Sequence, residues 1–101
     1  MSLKEKVIEK NDIKLKEPSM YNVIFFNDDY TTMEFVVEIL MRVFHKSLDE
    51  ANNLMLLVHN QGKAIVGKYP YDIAITKVNI TKKLAKQNGF PLRVDIEKEE
   101  K

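Results

Sequence analysis

Three side chains that accept hydrogen bonds follow one another where an apolar, β-favouring segment ends. Residues 21–26 form that segment, and it leads directly into Asn27, Asp28 and Asp29. A strand that ended there would leave Asn27 and Asp28 at the rim of a sheet, with Met33 one helical turn away, and their oxygens could accept hydrogen bonds from a ligand. This stretch is therefore the main candidate binding site. The alternative is that the three residues only form the turn, because Asn and Asp bond to their own backbone and favour turns and caps.

A histidine on the second predicted helix is the other candidate polar ligand. His59 lies four residues after Met55, so the two side chains point the same way on a helix, and Val58 borders them. The alternative is a boundary histidine whose ring bonds one backbone carbonyl. Met33 and Met55 suit an adaptable apolar pocket, although methionines at helical spacing are more often core residues.

Neither a metal site nor a catalytic site can be assembled from these residues. Hard cations bind clustered carboxylates and amides, but adjacent residues of a strand point to opposite faces, so Asp28 and Asp29 should not converge. The chain has no cysteine, which excludes thiolate ligands and thiol nucleophiles. No Ser-His-Asp arrangement with an oxyanion hole is recognisable. We therefore expect a binding protein that is not an enzyme, carries no metal and needs no cofactor.

Length, net charge and the N-terminal sequence argue against nucleic acids and membranes as partners. A chain of 101 residues forms one domain with a modest core. Its formal charge of +1 and the lack of a basic stripe argue against nucleic acid, whose binding depends on neutralising phosphates. The N-terminus alternates Lys and Glu without the apolar core of a signal peptide, and no segment is long enough to cross a bilayer. We expect a soluble, cytoplasmic protein that does not bind membranes.

Caps and apolar spacing predict the elements that position the candidate site. Residues 1–19 carry mixed charges with isolated apolar positions and are interpreted as a flexible arm, 20–97 as the core domain and 98–101 as a charged tail. The first strand is predicted over residues 20–27. Thr31-x-x-Glu34 fits a capping box and predicts a helix over residues 32–44.

The second half of the chain gives equally specific predictions. Ser47-x-x-Glu50 is a second capping box, for a helix that ends at Gly62. A strand over 63–69 contains Gly67, which suggests a bulge or a close approach by another backbone. A helix over 71–88 with Gly89 as C-cap and a strand over 92–96 follow. The order β-α-α-β-α-β predicts an α+β two-layer sandwich, in which three helices cover a three-stranded antiparallel sheet.

Four blocks of sequence closely resemble the ClpS adaptor family. They are Pro18-Ser-Met-Tyr-Asn-Val-Ile, Asn27-Asp-Asp-Tyr-Thr-Thr-Met-Glu-Phe-Val, Leu54-Met-Leu-Leu-Val-His-Asn-Gln-Gly-Lys-Ala-Ile, and Thr76-Lys77 followed by Pro91-Leu92. The resemblance covers the chain after the arm. The combination of the Asn-Asp-Asp-Tyr-Thr block with a Val-His-x-Gln-Gly-Lys block at this distance is highly specific for the family.

The resemblance implies an adaptor without catalytic activity. It would recognise the N-terminal residue of degradation substrates, chiefly Leu, Phe, Tyr or Trp, and deliver them to the ClpA unfoldase of the ClpAP protease. By matching positions, Asn27 and His59 would bind the free α-amino group, with Asp28 assisting. Six residues would line the side-chain pocket, namely Phe25, Met33, Val36, Met55, Val58 and Leu92. Asp72 and Lys77 fall where the family contacts the N-terminal domain of the unfoldase.

Three positions depart from the family pattern. Thr32 stands where many members have proline at the first helical position, and Asp72 replaces the usual glutamate with a shorter side chain. Phe25 occupies a position that is often aliphatic in the family, so the resemblance does not fix the depth of the pocket or the ranking of the four side chains. The alternative function is a ribosomal-stalk-like module that binds a translation factor, since a small helix-on-sheet domain hosts many functions.

Overall fold

The computed structural model describes residues 18–100. The elements are β1 (Met20–Phe26), α1 (Met33–Arg42), α2 (Leu48–Gln61), β2 (Lys63–Pro70), α3 (Tyr71–Gln87) and β3 (Arg93–Lys98). The strands form one antiparallel sheet in the order β2-β1-β3. The predicted α+β architecture and order of elements are confirmed. Residues 1–17 of the predicted arm lie outside the described residues, and β3 extends into the predicted tail. No helix in the described part of the chain is long and apolar enough to span a bilayer.

The strands bury one face of the sheet under the helices. Val23 and Phe25 of β1 and Val94 of β3 have no exposed surface, whereas Ile65 and Arg93 are exposed. Successive strand residues point to opposite faces, so this alternation separates a helix-covered face from an open one. The helices contribute to the same core, chiefly through Phe35, Ile39, Leu40, Ala51, Val58, Ala74 and Val78.

Helix α1 begins differently from the prediction. Thr32 is the N-cap, and its hydroxyl oxygen accepts a hydrogen bond from the Phe35 N–H at 3.1 Å. The Thr31 hydroxyl instead donates to Asp28 Oδ2 at 2.7 Å. The predicted capping box between Thr31 and Glu34 is therefore wrong, because the Asp28 carboxylate binds Thr31 and shifts the cap by one residue. Thr32 is accordingly not the first helical residue but the cap before it.

The second capping box is confirmed. The Ser47 hydroxyl accepts from the Glu50 N–H at 3.1 Å, and the Glu50 carboxylate accepts from the Ser47 N–H at 3.0 Å. These hydrogen bonds to Ser47 hold the pKa of Glu50 below its ordinary value. Gly62 ends α2 in the left-handed conformation with φ 89°, as predicted. Helix α3 is capped by Asn88, and Gly89 follows it with φ 77°.

Strand β2 contains the predicted bulge at Gly67. Val23 pairs with Gly67 while the next residue, Ile24, pairs with Ile65, so β2 carries an extra residue between these two positions. A Cβ atom on Gly67 would lie 2.6 Å from the Tyr69 ring. The close approach at this glycine therefore comes from an aromatic side chain rather than from another backbone.

Candidate functional site

A cavity of about 440 Å³ lies where the end of β1, the start of α1 and the end of α2 meet. It is lined by the predicted residues Asn27, Asp28, Met33, Val36, Met55, Val58 and His59, and also by Asp29, Tyr30, Thr31, Thr32 and Glu34. The three residues predicted to bind an amino group thus share one cavity with four of the six predicted pocket residues. The roles of these residues remain predictions.

The backbone explains why Asn27 and His59 meet. The Asn27 N–H donates to the Gly62 carbonyl at 2.8 Å, and Gly62 is the residue that ends α2. This bond fixes the end of β1 against the end of α2, and His59 lies less than one turn before Gly62. The Asn27 amide and the His59 imidazole are both exposed at the cavity, so both can hydrogen bond to a ligand.

Asp28 holds the turn as well as lining the cavity. Its Oδ1 accepts from the N–H groups of Tyr30 and Thr31 at 2.8 and 2.7 Å, and Oδ2 accepts from the Thr31 hydroxyl. Partial burial raises the pKa of Asp28, but these hydrogen bonds outweigh burial and leave the pKa below its ordinary value. The carboxylate is therefore ionised at neutral pH, and the interpretation of Asp28 as a turn former is correct without excluding a role in binding.

The cavity joins an acidic rim to an apolar floor. Asp28, Asp29 and Glu34 lie on the rim, and no lysine or arginine belongs to the described lining. Charges of one sign in a concave site attract the opposite charge, so the rim favours a cation. Val36 and Val58 form a buried floor, while Met33 is 43% exposed and stands at the entrance. The arrangement suits a ligand that carries a positive group beside a bulky apolar group.

Two predicted pocket residues lie elsewhere. Phe25 has no exposed surface and packs edge-on against Phe44, with ring centroids 5.5 Å apart. Leu92 is 8% exposed and belongs to the core cluster, and neither residue lines the cavity. Phe25 points under the helices at the centre of the sheet, so the structure places it below the site rather than in it.

The sequence identified the stretch after β1 as the candidate site but assigned no binding role to five of its residues that line the cavity, namely Asp29, Tyr30, Thr31, Thr32 and Glu34. The signal that could have identified them is the cap itself: because Thr32 caps α1, the residues between Asp28 and Thr32 must form the wall that connects β1 to the helix.

The predicted unfoldase residues lie at a second cavity, of about 480 Å³. Its lining is Arg42, Val43, His45, Asp72, Ile73, Thr76, Lys77, Ile80 and Leu84. Asp72 is exposed in the first turn of α3. The half-buried Lys77 donates from Nζ to the Val43 carbonyl at 2.7 Å and lies 5.3 Å from the centroid of the Tyr69 ring. The structure brings Asp72 and Lys77 to one surface, but it directs the Lys77 ammonium into the protein.

Among residues 18–100, no group of three His, Cys, Asp or Glu residues is placed to hold a metal ion. Asp28 and Asp29 lie in the loop after β1 rather than on the strand, so the strand argument made for them does not apply.

Comparisons with known proteins agree on one family. The family model for "ATP-dependent Clp protease adaptor protein ClpS" matches residues 16–95. The ATP-dependent Clp protease adapter protein ClpS of Wolinella succinogenes is 53% identical over 88 residues, which cover 87% of this chain and 86% of the relative. The ClpS protein of Desulforapulum autotrophicum is 51% identical over 98 residues, covering 97% and 94% of the two chains.

A solved structure is similar in fold as well as in sequence. It is Agrobacterium tumefaciens ClpS2 bound to L-phenylalaninamide, with a TM-score of 0.79 and 41% identity. The match covers 82% of this chain and all of that chain. The ligand of that relative is an amino acid amide with a free amino group and an aromatic side chain.

Proposed function

The chain belongs to the ClpS family, the adaptor proteins of the ATP-dependent Clp protease, and from this we propose that it binds the free N-terminal residue of degradation substrates and delivers them to the unfoldase ClpA of ClpAP. As a member of a family of adaptors, the chain is not an enzyme. The substrates proposed are those that begin with Leu, Phe, Tyr or Trp. The proposed setting is the cytoplasm. The family match decides against the alternative of a ribosomal-stalk-like module.

The observation that carries the proposal is that one cavity contains the polar groups of Asn27 and His59, an acidic rim and an apolar floor. An α-ammonium group has three N–H donors and one positive charge. The Asn27 amide oxygen and a neutral His59 nitrogen can accept two of its hydrogen bonds, and Asp28 contributes negative charge. An unmodified N-terminal residue can contact the polar and the apolar part of this cavity at once, because its amino group and its side chain are attached to the same Cα atom.

The apolar half of the cavity supports the proposed choice of side chains. Val36, Met55 and Val58 offer apolar surface close to the polar groups. Burying a Leu or Phe side chain is worth about 1.5–3 kcal/mol. The phenylalaninamide bound by the Agrobacterium relative has the chemistry expected of such a ligand.

We assign the second cavity to the N-terminal domain of the unfoldase. Exposed Asp72 offers a charge to a partner, while apolar Ile73 and Ile80 are 45% and 43% exposed beside it. Lys77 supports this surface indirectly, because its ammonium donates a hydrogen bond to the Val43 carbonyl and so holds the end of α1 in place. The substrate and unfoldase surfaces are lined by different residues, so both partners can bind together.

One titration tests the proposed function. A peptide that begins with Leu is titrated into the protein in free and N-acetylated forms, and acetylation should abolish binding because it removes the charge and two donors. His59→Ala should lower the affinity for the free peptide by about tenfold or more, and a tenfold change corresponds to about 1.4 kcal/mol. His45→Asn is the matched control, since His45 is also exposed but lines the second cavity, and Asn tolerates its φ of 57°. Equal binding of the acetylated peptide would rule the proposal out.

A further inference from the structure

The candidate site shares a wall with a third concave surface. This surface has a volume of about 510 Å³ and is lined by Tyr30, Lys86, Gly89, Phe90 and Pro91. Tyr30 also lines the cavity that contains Asn27 and His59. A polypeptide that leaves the first cavity over Tyr30 therefore enters this third surface directly.

Tyr30 combines an exposed aromatic side chain with a backbone held by a hydrogen bond. Its N–H donates to Asp28 Oδ1 at 2.8 Å, which fixes the backbone, while 76% of the residue remains exposed. Tyrosine gives a large contact area at a low cost in conformational entropy, and it is enriched where proteins bind one another. Exposure of this ring between two concave surfaces indicates contact with a ligand that spans both.

The far side of Tyr30 is a rigid apolar wall. The half-buried Phe90 packs against Phe35 of the core, with ring centroids 4.9 Å apart. The Phe90 N–H donates to the Ala85 carbonyl at 2.9 Å, so the turn after α3 is held in place. With Pro91 beside it, Phe90 offers an apolar contact that needs no rearrangement to accept a ligand.

The sign of the charge changes across Tyr30. The first cavity has Asp28, Asp29 and Glu34 on its rim, whereas Lys86 is the one charged residue in the described lining of the third surface. Lys86 lies in the last turn of α3 and is exposed. A bound chain with a positive group at its start and a negative group further along matches this change of sign in one direction only.

We propose that the third surface, formed by Tyr30, Lys86, Phe90 and Pro91, is a downstream subsite for substrate residues that follow the N-terminal one. This inference rests on the proposed function. Because the two surfaces share Tyr30, the residues that follow the N-terminal one cross Tyr30 and the subsite holds those that come next. It selects an apolar residue followed by an acidic one.

The test compares peptides that differ only downstream. Leucinamide reports the first cavity alone. Two hexapeptides of sequence Leu-Gly-Ser-Phe-Glu-Gly and Leu-Gly-Ser-Phe-Lys-Gly, both amidated, differ at the position that meets Lys86. We expect the glutamate peptide to bind the parent protein about two- to five-fold more tightly at low salt, as for an exposed ion pair. Added salt should reduce this preference.

Charge reversal identifies the residue responsible. Lys86→Glu should reverse the preference between the hexapeptides and leave leucinamide affinity unchanged. Lys82→Glu makes the same change in net charge on the same helix, outside the lining of the subsite, and should keep the parent preference. Equal affinities of the two hexapeptides for the parent, or an equal effect of both variants, overturns the subsite while leucinamide binding upholds the proposed function. Failure of leucinamide to bind overturns both.

Discussion

Replacing Lys77 by methionine should destabilise the fold, because the ammonium group of Lys77 has internal partners. Its Nζ donates to the carbonyl of Val43, the C-cap of α1, at 2.7 Å. The same nitrogen lies 5.3 Å from the Tyr69 ring centroid and 5.8 Å from that of Phe44. Methionine keeps most of the apolar stem and removes only the charge and the donor.

The size of the effect follows from these contacts and from the position of the ammonium at the C-terminal end of α1. A hydrogen bond from a charged group is worth about 1.5–3 kcal/mol, and a cation near an aromatic face adds about 0.5–1 kcal/mol. A cation at a helix C-terminus contributes about 0.3–1 kcal/mol. Lys77 is half-buried, so the cost of removing its ammonium from water offsets part of these gains. We expect Lys77→Met to lower the free energy of unfolding by about 2 kcal/mol and Tm by about 8–16 °C.

Urea unfolding followed by far-UV circular dichroism measures this change as a lower midpoint at unchanged slope. Lys82→Met is the control, since Lys82 is exposed on the same helix and its removal should change stability by no more than about 0.5 kcal/mol. A Lys77→Met protein that unfolds at the parent's midpoint would show that the ammonium contributes nothing to the fold. Unfoldase binding should then be tested with Asp72→Asn, which alters the exposed charge of that surface without this loss of stability.

Three further outcomes follow from the site and the core. Asp28→Ala should lose about 1–2 kcal/mol of stability at pH 7. The folded pKa of Asp28 is lowered, so its contribution is complete above the unfolded pKa of about 3.9 and is lost as pH falls through the folded value. The urea midpoints of parent and variant should therefore approach each other as the pH falls below the unfolded pKa. Thr81→Val should raise the free energy of unfolding by about 1 kcal/mol, since the Thr81 hydroxyl is buried without a hydrogen-bond partner among the described residues; a lower urea midpoint would mean that the hydroxyl is satisfied. Met33→Ala should improve binding of a peptide that begins with Ile relative to one that begins with Leu, because a β-branched side chain is widest beside its backbone, at the entrance where Met33 stands. Calorimetric titration measures the ratio of the two dissociation constants, and a ratio equal to that of the parent would mean that Met33 does not restrict the entrance.

Local signals predicted the elements, and competition between local signals produced the errors. The Ser47 box and the Gly62 stop were predictable because both form as their local patterns indicate: Ser47 and Glu50 bond each other's backbone, and Gly62 adopts the left-handed conformation. Thr31 failed as a cap because Asp28, three residues earlier, offered a charged acceptor for its hydroxyl and its N–H. Two hydrogen-bonding schemes fitted the same residues, and a neutral capping bond is weaker than one to a carboxylate.

The pocket lining was harder to predict than the polar residues around it. Alternation along β1 shows that Phe25 faces the helices, but it does not show how far along the strand the helices extend. Phe25 lies beneath them, while Asn27 comes just after the strand and reaches the cavity. Lys77 shows a similar limit, since the resemblance assigned it to the unfoldase surface but did not indicate that its ammonium donates a hydrogen bond to the Val43 carbonyl, 34 residues away.

The conformation of Gly62 should control the site as well as the helix end. Its φ of 89° is unfavourable for any residue with a Cβ atom, although an added Cβ would have no atom within 4 Å. Gly62→Ala should therefore cost about 1–2 kcal/mol through backbone strain alone. The Gly62 carbonyl accepts the Asn27 N–H, so relaxation of that strain would move Asn27 relative to His59.

Gly89 provides a matched comparison, because it has φ 77° and equally open surroundings but lies after α3. Gly62→Ala and Gly89→Ala should lose similar stability, whereas only Gly62→Ala should weaken binding of leucinamide, by about two- to five-fold if roughly half of the strain is relieved at the site. Leucinamide is the suitable ligand because it does not extend to the surface beside Gly89. Equal affinity of the two variants for leucinamide would mean that the bond between Asn27 and Gly62 does not set the distance between the groups that bind the amine. Asn27 and His59 would then be held by the packing of α1 and α2 rather than by the end of the sheet.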